Sequence, residues 1–165
     1  MRRILSVLVI FTIVFTVIGC TGDPKEPTSN NNQDVVNEMN HFDGDYISFD
    51  YLDQWTVEEN TKYHIISAKK KDSKLYVLIE LEKGVDQDDE TSVTNFSQNY
   101  GGTPTELVTY SDINFYQTSF AHGDVEQTMM VNTKDQNKLV ITLQGNGHAD
   151  DEGIKEILNS LVLKY

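Results

Sequence analysis

The sequence predicts an α+β fold: one domain in which an antiparallel sheet of about six to seven strands carries helices packed on it. Period-two alternation of apolar and polar residues recurs in short runs from Tyr46 onward, the pattern of strands with one buried face. Brief polar turns separate these runs, and short turns join antiparallel neighbours. Two stretches near Val93 and Ile154 change to helical spacing. Each therefore has one apolar face that needs a sheet to lie on.

Before the domain the chain reads as an address. Arg2 and Arg3 lead into an apolar run from Ile4 to Ile18, interrupted by Ser6, Thr12 and Thr16 and closed by Gly19 and Cys20. That is signal-peptide architecture. As a helix the run would reach about 22 Å, short of the roughly 30 Å hydrocarbon core, so it is a poor membrane span. Residues 1–19 are accordingly expected to be a leader, and residues 20–41 a tether. Thr21 to Asp34 holds Pro24, Pro27 and three consecutive Asn but no large apolar group, so it has nothing to bury. Some twenty such residues spread over about 25 Å. Val35, Val36, Met39 and Phe42 fall at helical spacing and predict a short helical turn leading into a single domain, residues 42–165.

Within the domain, Ile47, Phe49 and Tyr51 alternate with Ser48 and Asp50, and Trp55 and Val57 repeat the pattern. Tyr63 to Ala68 and Leu75 to Leu81 flank the polar Lys69 to Ser73 and read as a hairpin. Leu75, Val77, Ile79 and Leu81 form the strongest apolar face, which places that strand inside the sheet. After the acidic stretch Asp86 to Glu90, Thr91 or Ser92 is the expected cap of a helix with Val93, Phe96 and Tyr100 on one side, stopped by Gly101-Gly102. Strands at Leu107 to Tyr110, Phe115 to Ala121, Val125 to Asn132 and Leu139 to Gln144 follow in meander spacing. Polar turns at Ser111-Asp112, His122 to Asp124 and Thr133 to Lys138 separate them. A last helix, capped by Asp150 or Asp151, aligns Ile154, Ile157, Leu158 and Leu161 before a short extended end.

Composition narrows the function. The chain of 165 residues has 13 basic and 26 acidic side chains. Without Arg2 and Arg3 the basic count falls to 11 and the net charge becomes -15. A nucleic-acid partner is thereby disfavoured, and so is spontaneous adhesion to anionic lipid. Cys20 is the single cysteine, so no disulfide can form within one chain and no Cys-based metal cluster can assemble.

Two resemblances add to this reading. Val17-Ile18-Gly19-Cys20 resembles the lipobox of prokaryotic lipoproteins, in which cleavage precedes the cysteine and lipid is attached to its sulfur. The resemblance implies lipid attachment at Cys20, membrane association through that anchor and an extracytoplasmic location. Ile47-Ser48-Phe49-Asp50-Tyr51-Leu52-Asp53-Gln54-Trp55 is similar to the opening of PsbP-like domains, and Ile154 to Leu161 is similar to their closing helix. The order of elements between also fits. This implies an α/β/α sandwich serving as a non-catalytic accessory or binding module, and it carries over no catalytic residue.

Motifs for chemistry are sparse. His41, His64, His122 and His148 are scattered, without the close spacing that puts two ligands on one face of an element, and are expected in turns or at the surface. His148 with Asp150, Asp151 and Glu152 is the nearest approach to a metal constellation, but helix capping explains the carboxylates more simply. Asp86, Asp88, Asp89 and Glu90 lack the glycine and ligand spacing of an EF-hand loop. Neither a nucleophile elbow nor a phosphate loop occurs. Asn95-Phe96-Ser97 is a formal glycosylation acceptor inside an expected helix, and Trp55 and Tyr51 read as core. No catalytic residue, metal ligand or cofactor is expected. The expected function is an anchored module that binds another extracytoplasmic protein. The alternative is a lipoprotein that binds a small ligand or metal ion, and a concave pocket with converging polar groups would favour it.

Overall fold

Alternation decides the main layer. In β5 (Tyr76–Lys83) Val77, Ile79 and Leu81 are buried, and across the ladder Leu143, Ile141 and Leu139 of β9 (Asn137–Gln144) are buried opposite them. Because side chains alternate across a strand, these six leave on one face and form the centre of the core. The structure is a computed structural model, and it describes residues 38–165 except residue 86. The leader, Cys20, most of the tether and Asp86 lie outside the described residues. The described residues fall within one compact unit, Val35–Tyr165.

Five further strands complete the main sheet: β3 (Trp55–Asn60), β4 (Ile65–Lys70), β6 (Glu106–Tyr110), β7 (Ile113–His122) and β8 (Val125–Lys134). The order is β3-β4-β5-β9-β8-β7-β6, antiparallel throughout. A second sheet, β1-β2-β10, is built from β1 (Met39–Asp43), β2 (Ile47–Leu52) and β10 (Val162–Leu163). The expected class, an α+β antiparallel sheet with packed helices, is the one found.

The helices lie on opposite faces. Helix α1 (Asp89–Tyr100) packs on β7 and β8, where Phe96 meets Phe120 edge-on at 5.0 Å. Helix α2 (Glu152–Asn159) packs on β2, and its Ile154, Ile157 and Leu158 join the core with Phe49, Trp55 and Ile79. Asp151 caps α2 by accepting from the N–H groups of Gly153 at 2.9 Å and Ile154 at 3.2 Å, and it also pairs with Lys70 at 2.5 Å. At the other end Ser160 Oγ accepts from the Asp50 N–H at 2.8 Å, tying the helix to β2. Trp55 is 2% exposed, in the core as expected.

Four expectations are corrected. The helical turn expected over Val35 to Phe42 is contradicted where it is described: Met39–Asp43 is strand, because Phe42 pairs with Phe49 and stacks on its ring at 5.1 Å. Helix α1 starts earlier than Thr91 or Ser92 would allow. Asp88 is its cap, accepting from the Thr91 N–H at 2.7 Å. Lys69 and Lys70, expected in a turn, extend β4 and pair across to Thr56 and Trp55. Finally, Ile47, Ser48 and Phe49 are all buried, so β2 is covered on both faces instead of half-exposed.

Candidate functional site

An open cleft of about 470 Å³ lies where the end of α1, strands β7 and β8 and the turn after β9 meet. Its position follows from three local features. Gly101 ends α1 in the left-handed conformation, φ 68°, which glycine adopts without the Cβ penalty of other residues. The N–H groups of Gly101 and Gly102 both donate to Ser97 O, and the chain then returns along β7 through Thr103 N–H to Ser119 O at 2.7 Å. A two-residue turn, Gly123-Asp124, sets the hairpin register that puts Ser119 opposite Thr128 and Ala121 opposite Glu126. The turn after β9 is stitched to the same place. Gly145 N–H donates to Glu126 O at 3.0 Å, Glu126 N–H donates to Asn146 Oδ1 at 3.1 Å, and Gly147 N–H donates to Glu126 Oε2 at 3.2 Å.

These contacts bring His148 into the wall. It opens a short 3-10 turn, His148–Asp150, and is 4% exposed. A histidine expected at the surface or in a turn is thus a turn residue whose ring is buried, and the reason is its polar partners. Nδ1 lies 2.8 Å from Gly145 O, Nε2 lies 2.7 Å from Thr128 Oγ1, and Thr128 Oγ1 lies 2.8 Å from Ser119 Oγ. A carbonyl oxygen only accepts, so Nδ1 carries the hydrogen. In the neutral ring Nε2 therefore accepts from Thr128, and Thr128 accepts from Ser119. The chain of hydrogen bonds has one direction. Both ring nitrogens are satisfied, as burial requires, and Ser119 Oγ is left as an acceptor at the outer end.

Other candidates from the sequence are dispersed. His41 Nδ1 pairs with Asp50 Oδ1 at 2.6 Å on the surface, and His64 and His122 lie at turns or strand ends. Asp151 caps α2 rather than facing His148. Asp89 accepts from Thr133 N–H and Oγ1, both at 2.6 Å. Its neighbour Asp88 caps α1, and hydrogen bonds from Thr91 hold its carboxyl below the usual range. Asn95 is exposed on α1, while Ser97 is buried and donates to Thr103 O at 2.6 Å. Among the described residues, no three His, Cys, Asp or Glu side chains form a group that could hold a metal ion.

Elsewhere the electrostatics are structural. Burial, then the nearby Glu82 charge, raises the Glu80 carboxyl. Burial pushes the Tyr165 hydroxyl up to about 12. Lys164 beside Asp43 holds that carboxyl low, first by a hydrogen bond and then by charge. A second hollow of about 420 Å³ lies between the β6–β7 turn and β10. One of its lining residues, Asn132, has a buried Oδ1 without a hydrogen-bond partner among the described residues.

Sequence reasoning missed Ser119, Thr128 and Glu126. The hairpin turn was the signal available for them, since a two-residue turn at Gly123-Asp124 pairs positions symmetrically and sets Ser119 against Thr128. His148 had no such signal, because its approach depends on how β9 ends.

No family model and no curated protein matches the chain. Solved structures do. A crystal structure from Bacteroides thetaiotaomicron VPI-5482 aligns with a TM-score of 0.54 at 11% identity over 76% of this chain, which spans 48% of that one. Cyanobacterial PsbP (CyanoP) from Synechocystis sp. PCC 6803 aligns with a TM-score of 0.54 at 8% identity, covering 82% of this chain and 98% of that one. LpqN of Mycobacterium tuberculosis, described as involved in cell envelope biogenesis, reaches a TM-score of 0.49 at 14% identity over 77% of this chain and 92% of its own. At these identities the likeness to CyanoP is one of fold. The domain has a PsbP-like α+β fold, as the resemblance of Ile47 to Trp55 and of Ile154 to Leu161 implied.

Proposed function

We propose that this chain is a lipoprotein held on the extracytoplasmic face of the cell membrane through Cys20, and that its PsbP-like domain acts by binding and not by catalysis. The observation that supports a binding role is the cleft beside α1, which Ser119 and Glu126 both line. A volume of about 470 Å³ falls in the range of small-ligand sites.

The same geometry argues against acyl transfer. Ser119 reaches His148 only through Thr128, and the second ring nitrogen meets a carbonyl and not a carboxylate. The N–H groups of Gly101, Gly102 and Thr103 along the wall already have partners, so they are not free to stabilise an oxyanion. Of the two occupants expected from sequence, the cleft favours the small ligand. The reading as an accessory protein for an extracytoplasmic partner rests on the acidic surface, whose field favours basic partners and weakens with salt.

The test is a titration of the isotope-labelled full chain in detergent with small-molecule pools, followed by amide chemical shifts, beside a turnover assay on hydrolysable esters and amides. The proposal expects saturable shifts at Gly102, Ser119 and Thr128 with no turnover. Turnover abolished by Ser119→Ala would overturn it.

A further inference from the structure

We infer that the occupant of this cleft is a small organic ammonium ion, a primary amine in its charged form. The inference rests on the reading of the cleft as a ligand site and names the ligand's chemistry. Ser119 and Glu126 both line the open space and both bring acceptors to it. With the His148 ring neutral and its Nδ1 donating to Gly145 O, the chain through Thr128 runs inward and leaves Ser119 Oγ, at the cleft wall, as an acceptor. Thr128, 6% exposed, cannot reverse its hydroxyl without losing the bond to Nε2.

Glu126 supplies the charge. It lies on the same face as Thr128, two residues along β8, and three hydrogen bonds to residues 145–147 fix its backbone and one carboxylate oxygen. Such preorganisation lowers the ordering cost of binding. Helix α1 brings its C-terminal end to the wall with no basic residue in its last turn, and that end carries a partial negative charge. Among the described residues, no lysine or arginine lines the cleft. An anion would meet only like charge there. A neutral alcohol could bond to Ser119 but would forgo the stronger charge-assisted bond to Glu126.

The experiment uses the full chain in detergent micelles and three probes of one size: butylammonium, butanol and butyrate, each titrated by amide chemical shift. Butylammonium should perturb Ser119, Glu126 and Thr128 and bind most tightly. Glu126→Gln, an exposed substitution, should weaken it by about tenfold or more, the loss of one charge-assisted hydrogen bond. Thr128→Val should weaken it less, and Ser119→Ala serves in its place if the valine variant misfolds. Butyrate or butanol binding in the cleft as well as butylammonium, or an unchanged affinity in Glu126→Gln, overturns the ammonium assignment and leaves the ligand site standing. Absence of cleft shifts with all three probes overturns the ligand site itself.

Discussion

Replacing Gly153 by alanine separates what local propensity predicts from what the packing predicts. Gly153 lies in the first turn of α2, and alanine in a helix interior is favoured over glycine by roughly 1 kcal/mol. Propensity therefore predicts a more stable protein. In the structure, however, a Cβ at Gly153 would sit 2.1 Å from Trp55 Nε1, 2.9 Å from Trp55 Cε2 and 3.1 Å from Asp151 Oδ1. The indole is 2% exposed, so it cannot turn aside without moving the core, and overpacking of this kind costs about 1–3 kcal/mol. Displacing Asp151 would add part of a helix cap, about 1 kcal/mol. The net expectation is a loss of about 2 kcal/mol. Urea unfolding reads it directly, because Trp55 is the only tryptophan and its emission reports the site. Unchanged or increased stability with unshifted emission would refute the packing argument and return α2 to propensity alone.

Three other outcomes follow from the same structure. Glu80→Gln should raise stability at pH 7 and flatten its pH dependence: with its carboxyl raised in the fold, the native state holds the proton more tightly, so stability falls as pH rises above the ordinary value of 4.5. Equilibrium unfolding from pH 4 to 8 checks it, and an unaltered pH profile would count against the burial of Glu80. Asp151→Asn should keep the α2 cap and lose only the Lys70 ion pair, whereas Asp151→Ala loses both and should cost about 1 kcal/mol more; equal losses in thermal unfolding would remove the cap from the account. Mass spectrometry of the membrane-extracted protein should find a chain that begins at a lipidated Cys20, and a retained Met1 to Gly19 with a free thiol would contradict the anchor.

How far the sequence could be read depended on the range of the interactions. Period-two alternation located the strands of the meander, because each buries one face against neighbours a short turn away. Their turns were less legible. Asp135 and Gln136 take positive φ, 51° and 63°, and close in two residues a turn for which Thr133 to Lys138 left six. The small sheet was invisible for a different reason: Val162 pairs with Ser48 across the whole domain, and alternation says that a strand has a buried face without saying which sheet it joins. The caps divide similarly. Asp151 was legible beside a strong apolar stripe, while Asp88 was hidden by Thr91 and Ser92, equally good caps that stand three and four residues too late. At the cleft, only the Ser119–Thr128 pairing had a local cause. The burial of His148 comes from the bonds that hold residues 145–147 to Glu126, contacts some twenty residues distant.

The central claim is that the cleft beside α1 is where this protein does its work. Amide chemical shifts of the labelled full chain, recorded while small-molecule pools are added, test that claim most directly. The account predicts saturable shifts centred on Gly102, Ser119, Glu126, Thr128 and His148, with the affinity weakened about tenfold or more by Glu126→Gln and no change in the rest of the spectrum. Saturable shifts centred on any other part of the domain, untouched by that substitution, would contradict it.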